Sequence, residues 1–134
     1  MNKTTYIISW LLRITAAIIL LQTLYFKFTG HPESVELFTK LGVEPWGRIG
    51  TGIIEFVTSI LLLLSITALL GAFVGVGLMI GAILSHLTVI GIESKGDGGQ
   101  LFMLAILVLV SCLAILMIHR KEGIALYNKL LKKN

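Results

Sequence analysis

Charge is the scarcest thing in this chain. Only 13% of its 134 residues are Asp, Glu, Lys or Arg, against about 25% in a soluble domain. A surface facing water cannot be covered at that density. Cysteine is almost missing as well. Cys112 stands alone, which excludes an intrachain disulfide, a C-x-x-C pair and thiol–disulfide exchange. It reads as a small buried apolar side chain. The three histidines, His31, His86 and His119, are expected at different depths and on different sides, so no metal constellation is expected. Only His86 falls well inside an apolar run, and a bis-histidine haem needs two. Lys95-Gly96-Asp97-Gly98-Gly99 is too short and too anionic for a phosphate loop. The net charge of +4 does not call for nucleic acid, because the excess sits in the C-terminal tail.

What is abundant is apolar sequence. Hydrophobic residues make up 56% of the chain and the mean hydropathy is +0.95. Four runs stand out: Tyr6–Phe26, Ile49–Leu70, Ala72–Ile92 and Leu101–Ile118. Each is close to the ~20 residues that cross ~30 Å of hydrocarbon at ~1.5 Å per residue. The expectation is one all-α domain, a four-transmembrane-helix bundle with a tail over residues 119–134. The first run exceeds the ~7–15 residues of a signal h-region and lacks a small-x-small site after it, so it reads as an anchor.

An even number of spans puts both ends of the chain on one side. Lys3, Arg120, Lys121, Lys129, Lys132 and Lys133 lie there, six in all, against Lys27, Lys40, Arg48 and Lys95 opposite. The positive-inside rule then predicts cytoplasmic termini. The tail GIALYNKLLKKN is apolar and basic, the character of a segment resting on anionic lipid.

Between the first two runs the chain is not a loose linker. His31-Pro32-Glu33, then Val35, Phe38, Leu41 and Gly42, predict a short helix with proline near its start and glycine past its end. It would lie across the extracytoplasmic mouth, with Trp46 at the interface and Pro45 opening the next span. His31 reads as a surface histidine.

Polar residues inside the spans are few, and each needs a physical reason. In the first, Arg13 and Lys27 fall within ~40° of each other on a face continued by Ala16, Leu20 and Thr23. That stripe either faces the bundle interior or lets Arg13 snorkel to phosphates on the terminal side. The second run carries Arg48, Gly52, Glu55 and Ser59 on one face. The third carries Gly75, Met79, Ala82, His86 and Glu93, and also Gly77, Gly81 and Ser85, a small-residue spacing that suits close helix contact. A near-absent link at Leu70-Gly71 predicts a tight hairpin. The fourth offers Gln100, Ser111 and Cys112.

Side chains lean toward the N-terminus of their helix. Lys27 therefore leans into the bilayer while Glu55, on an antiparallel helix, leans toward it. Arg48 lies about 10 Å above Glu55 along its helix, a gap that two long side chains can nearly close. The pattern predicts a cluster of Lys27, Glu55 and His86 beneath a mouth of Arg48, Glu93 and Gln100. It has three readings: polar contacts that fix helix register, a pocket for a small polar or quinone-like ligand, or an ion path that continues through Arg13.

The residues also carry a resemblance. F-K-F-T-G at the end of the first span, L-G-V-E-P-W-G before the second, and R-I-G-T-G-I-I-E-F within it resemble the DoxX family of small four-helix membrane proteins. Lys27, Gly50, Gly52 and Glu55 fall where that family has a lysine and a G-x-x-E-like element. Leu24-Tyr25-Phe26 departs from the small residues that many members carry before the lysine. The resemblance implies the bacterial cytoplasmic membrane and a link to membrane redox complexes, with quinone as the cofactor and redox proteins as partners. It implies no established reaction for the chain alone. A non-catalytic scaffold or assembly partner is the alternative, and a homo-oligomer stays open.

Overall fold

The computed structural model describes residues 1–133; Asn134, at the end of the basic tail, lies outside them. Six α-helices follow one another: α1 (Lys3–Phe28), α2 (Pro32–Lys40), α3 (Trp46–Leu63), α4 (Ala68–Ser85), α5 (Gln100–Ile118) and α6 (Arg120–Lys132). A π-helical segment, His86–Ile90, prolongs α4. No strand occurs among the described residues. Helices α1, α3, α4 with its π segment, and α5 are each long and apolar enough to cross a membrane. The protein is an all-α four-helix membrane bundle.

Their composition explains their exposure. Leu11, Ile18, Phe73, Val110 and other large apolar side chains point outward, as expected where lipid replaces water. The interior interleaves small and large side chains: Ala16, Leu20, Leu62, Ala72, Val108, Cys112 and Ile115. Two glycines of α4 set how closely the helices approach. A Cβ at Gly75 would stand 2.7 Å from Cys112 Sγ on α5, and one at Gly71 would stand 2.9 Å from Leu61 Cβ and Leu62 N on α3. The Gly77–Gly81–Ser85 spacing behaves otherwise. Neither Gly77 nor Gly81 has anything within 4 Å of its would-be Cβ, so that small-residue face is not a helix contact. The packing face of α4 is instead the row through Gly71, Gly75 and Met79.

The hairpin also sits earlier than its hydropathy implies. Helix α3 ends at Leu63 and α4 begins at Ala68, so the turn is Leu64–Thr67 and not Leu70-Gly71. Thr67 Oγ1 donates to the Leu61 carbonyl at 2.9 Å and absorbs one of the acceptors left free at the end of α3. Short α2 has His31 at its N-cap, whose ring Nδ1 accepts from Glu33 N at 3.3 Å, and Pro32 in its first turn. It buries Phe38 and lies over the loop-side end of the bundle.

Candidate functional site

The loop-side end holds a cavity of about 360 Å³ bounded by α1, α2, α3, α4, α5 and the 94–97 turn. Leu20, Phe26, Leu37, Met79, Leu104 and Val108 form its apolar wall. Lys27 reaches it from near the end of α1 and Glu55 from the middle of α3. Their Nζ and Oε2 stand 3.1 Å apart, and both side chains are largely buried. Thr23, one turn before Lys27, sets its hydroxyl 3.1 Å from Glu55 Oε2 and 2.8 Å from the Leu20 carbonyl, two acceptors that share its single proton. Opposed side-chain lean is what closes the gap between two antiparallel helices. Thr23 completes the carboxylate's shell, and its place on the Arg13–Lys27 stripe was the signal for it.

His86 lines the same cavity, but it bonds to neither charge. It is 3% exposed, and its Nδ1 lies 2.9 Å from the Gly91 carbonyl. A carbonyl only accepts, so Nδ1 carries the proton and Nε2 is left as an acceptor in the neutral ring. The π-helical segment produces this arrangement, since its widened turn brings Gly91 back to His86. Phe102 of α5 meets the ring edge-on at 5.7 Å. Gln100 also lines the cavity.

Two residues expected at the mouth stand elsewhere. Arg48 does not descend to Glu55. Its Nε donates to both Glu44 carboxylate oxygens, at 2.9 and 3.0 Å, and its Nη1 donates to the Lys27 carbonyl. That carbonyl belongs to the last turn of α1, where acceptors have no partner within the helix. Arg48 therefore closes a helix end, and the nearer carboxylate at i−4 outcompetes Glu55. Glu93 is exposed in the turn after the π segment, where it accepts from Gly98 N at 3.2 Å. The helical register that placed it over His86 is broken at Gly91, whose φ is 89°.

The turn proves more ordered than its glycines imply. Asp97 accepts from Ser94 N, Gly99 N and Leu101 N at 3.0, 2.8 and 3.1 Å. Burial pushes its carboxyl pKa up, but these three backbone N–H groups outweigh that and hold it below the ordinary value. Lys95 reaches α2 and pairs with Glu36 at 2.5 Å, which lowers the Glu36 pKa and raises that of Lys95. The roof helix is thus tied to the turn opposite.

Arg13 belongs to the other end of the molecule. It is 2% exposed, its Nε donates to the Leu62 carbonyl at 2.5 Å, and its guanidinium lies 3.8 Å from the Trp10 ring centre. The interior reading holds, and snorkelling does not occur. Arg13 does not line the loop-side cavity. Nearby, Ser9 Oγ and His119 Nε2 are 2.7 Å apart, and His119 Nδ1 lies 3.1 Å from Glu122. Nothing in the sequence pattern joined Ser9 to His119, 110 positions away.

With the geometry in place, the comparison with known families is decisive. Residues 11–117, from the first span almost to the end of the fourth, match the DoxX-like family. The chain belongs to the DoxX-like family. No curated protein and no solved structure matches it. In this DoxX-like protein the lysine of F-K-F-T-G and the glutamate of R-I-G-T-G-I-I-E-F are the two halves of the buried ion pair. The L-G-V-E-P-W-G segment supplies Glu44, the partner of Arg48.

Proposed function

We propose that the loop-side cavity binds a small quinone-like molecule and that the protein is an accessory subunit of a membrane redox system. One observation carries this reading: the Lys27–Glu55 pair borders an apolar-walled cavity instead of being packed over. Ligand pockets are usually about 300–1,000 Å³, mostly apolar with a few convergent polar groups, and this cavity falls at the small end of that range. Lys27 and Gln100 offer donors, while Glu55 and the free nitrogen of His86 offer acceptors, which suits carbonyl and hydroxyl groups on an apolar ring. A free anion fits less well. The lining carries Lys27 and Lys95 against Glu33, Glu55 and Asp97, so the charge there does not favour one. By its Lys/Arg distribution the cavity opens on the extracytoplasmic side of a bacterial cytoplasmic membrane. A reporter fused after Asn134 then reads as cytoplasmic, and one inserted near Gly96 as external.

A second reading, that of a non-catalytic assembly partner, rests on Lys27, Glu55, Arg48 and Glu44 satisfying one another with no ligand. Gentle purification from native membrane followed by quinone extraction separates the two. The ligand reading expects near-stoichiometric quinone, lost in a folded Lys27→Met/Glu55→Gln double variant. Partner proteins without quinone, and a double variant that still assembles with them, would favour the scaffold.

A further inference from the structure

At the terminal-side end, away from the cavity, α6 leaves the bundle immediately after α5 and has no buried residue. Ile124, Leu126, Tyr127, Leu130 and Leu131 are all more than half exposed. At ~100° per residue they share an arc of ~160°, with Lys121, Asn128, Lys129 and Lys132 on the opposite arc. Such a helix lies in a membrane interface with its apolar arc down. Its charge is one-sided: Arg120, Lys121, Lys129 and Lys132 against a single acid, Glu122, which His119 already holds. Among the described residues no carboxylate pairs with any of those four cations.

The helix does not close on the bundle. An apolar groove of about 710 Å³ separates it from the α3–α4 turn and the start of α4, walled by Ile66, Leu69, Leu70, Phe73, Ile124 and Tyr127. Ser65, Thr67, Arg120 and Glu122 stand among its polar residues, with Glu122 turned to His119. The approach is fixed at one point, where a Cβ on Gly123 would stand 3.0 Å from Leu69 Cδ2. It is anchored at another by the Ser9–His119–Glu122 hydrogen-bond chain, which joins α1 to the start of α6.

We propose that this groove is a binding site for one anionic phospholipid, its acyl chain between α6 and α4 and its phosphate on Arg120, the cation that lines it. The level of the groove, at the end of four spans, supplies the chain. Arg120, which no carboxylate pairs among the described residues, selects the headgroup, since a Lys or Arg near a membrane surface favours an anionic lipid by about fivefold. This does not depend on what the loop-side cavity binds.

The test is native mass spectrometry of the full-length protein with phosphatidylglycerol or phosphatidylcholine of identical chains. The wild type is expected to retain one phosphatidylglycerol at least about fivefold better than phosphatidylcholine. Ile66 is 98% exposed at the groove mouth, so Ile66→Glu disturbs no packing and places a negative charge beside the phosphate. It should abolish the preference, whereas Ile66→Gln should keep it. Equal retention of the two lipids by the wild type overturns the proposal without any variant. So does a preference that survives Ile66→Glu but falls with Lys129→Gln/Lys132→Gln, which would mark a diffuse basic surface instead of a discrete site.

Discussion

The two ends of this bundle solve one problem in different ways. Each buries a cation of α1 against α3. At the terminal-side end, Arg13 is 2% exposed and serves the Leu62 carbonyl, in the last turn of α3. Free acceptors at a helix end are costly inside a membrane, and a guanidinium satisfies them while meeting the negative end of the helix dipole. Arg48 does the same for the last turn of α1 through the Lys27 carbonyl. At the loop-side end Lys27 caps nothing with its ammonium. It meets a carboxylate, and the two border open volume. Both arginines serve a helix end, although Nη2 of Arg13 is buried with no hydrogen-bond partner. Lys27 and Glu55 serve no helix end and border open volume, and that contrast makes the loop-side pair the functional candidate.

The contrast can be broken by substitution. Lys27→Met or Glu55→Gln alone leaves an uncompensated buried group and should destabilise the protein by about 3–5 kcal/mol. The double variant should recover most of that loss, and additive effects in the cycle would show that the two residues are not coupled. Arg13→Met, by comparison, should cost about 1–3 kcal/mol through the orphaned Leu62 carbonyl while leaving quinone retention unchanged. If Arg13→Met empties the loop-side cavity, the two ends are not separable.

Helix packing offers a second, smaller contrast. Gly75→Leu drives a side chain into Cys112 and should lower stability by about 1–3 kcal/mol. Gly81→Leu meets open space and should stay within about 0.5 kcal/mol. Unfolding in mild detergent reads both, and equal losses would restore Gly77–Gly81–Ser85 as a contact face.

The smallest effect belongs to the roof. The Glu36 pKa is lowered from 4.5 in the folded protein, so its contribution is complete above that value and fades as pH falls through the folded pKa. The Lys95 pKa is raised from 10.5, so its contribution is complete below that value and fades as pH rises past it. The stability difference between wild type and Glu36→Gln should therefore be flat around neutrality and shrink as the pH falls below 4.5. A difference that grows on acidification would show that the pair does not hold α2.

Much of this was legible in the chain. Four spans follow from run length, and the Lys27–Glu55 contact follows from opposed lean and opposite charge on antiparallel helices. What failed did so for local reasons. Hydropathy runs through Leu64–Ala72 without a break, because the α3–α4 turn is itself apolar, so run length alone puts the hairpin too late in the chain. Small-residue spacing alone does not say which of two glycine rows on α4 meets a neighbour. Arg48 has two carboxylates within reach, and the one at i−4, Glu44, holds it in place of Glu55. The widened turn at His86 and the chain from Ser9 to His119 depend on how segments far apart in sequence come together, which no periodicity encodes.

Helices α1 and α3 are fastened at both ends, by Arg13–Leu62 at one and by Lys27–Glu55, Thr23–Glu55 and Arg48–Lys27 at the other. One fastening is a pivot about which two rods can still swing; two fastenings make a truss. Sliding or rotating α1 against α3 would break both ties together, so the pair moves as a single strut. The cavity is bounded by this strut on one side and by α4 and α5 on the other. Any widening that admits a molecule must therefore come from the second wall yielding, or from the roof lifting, while the ion pair stays in register.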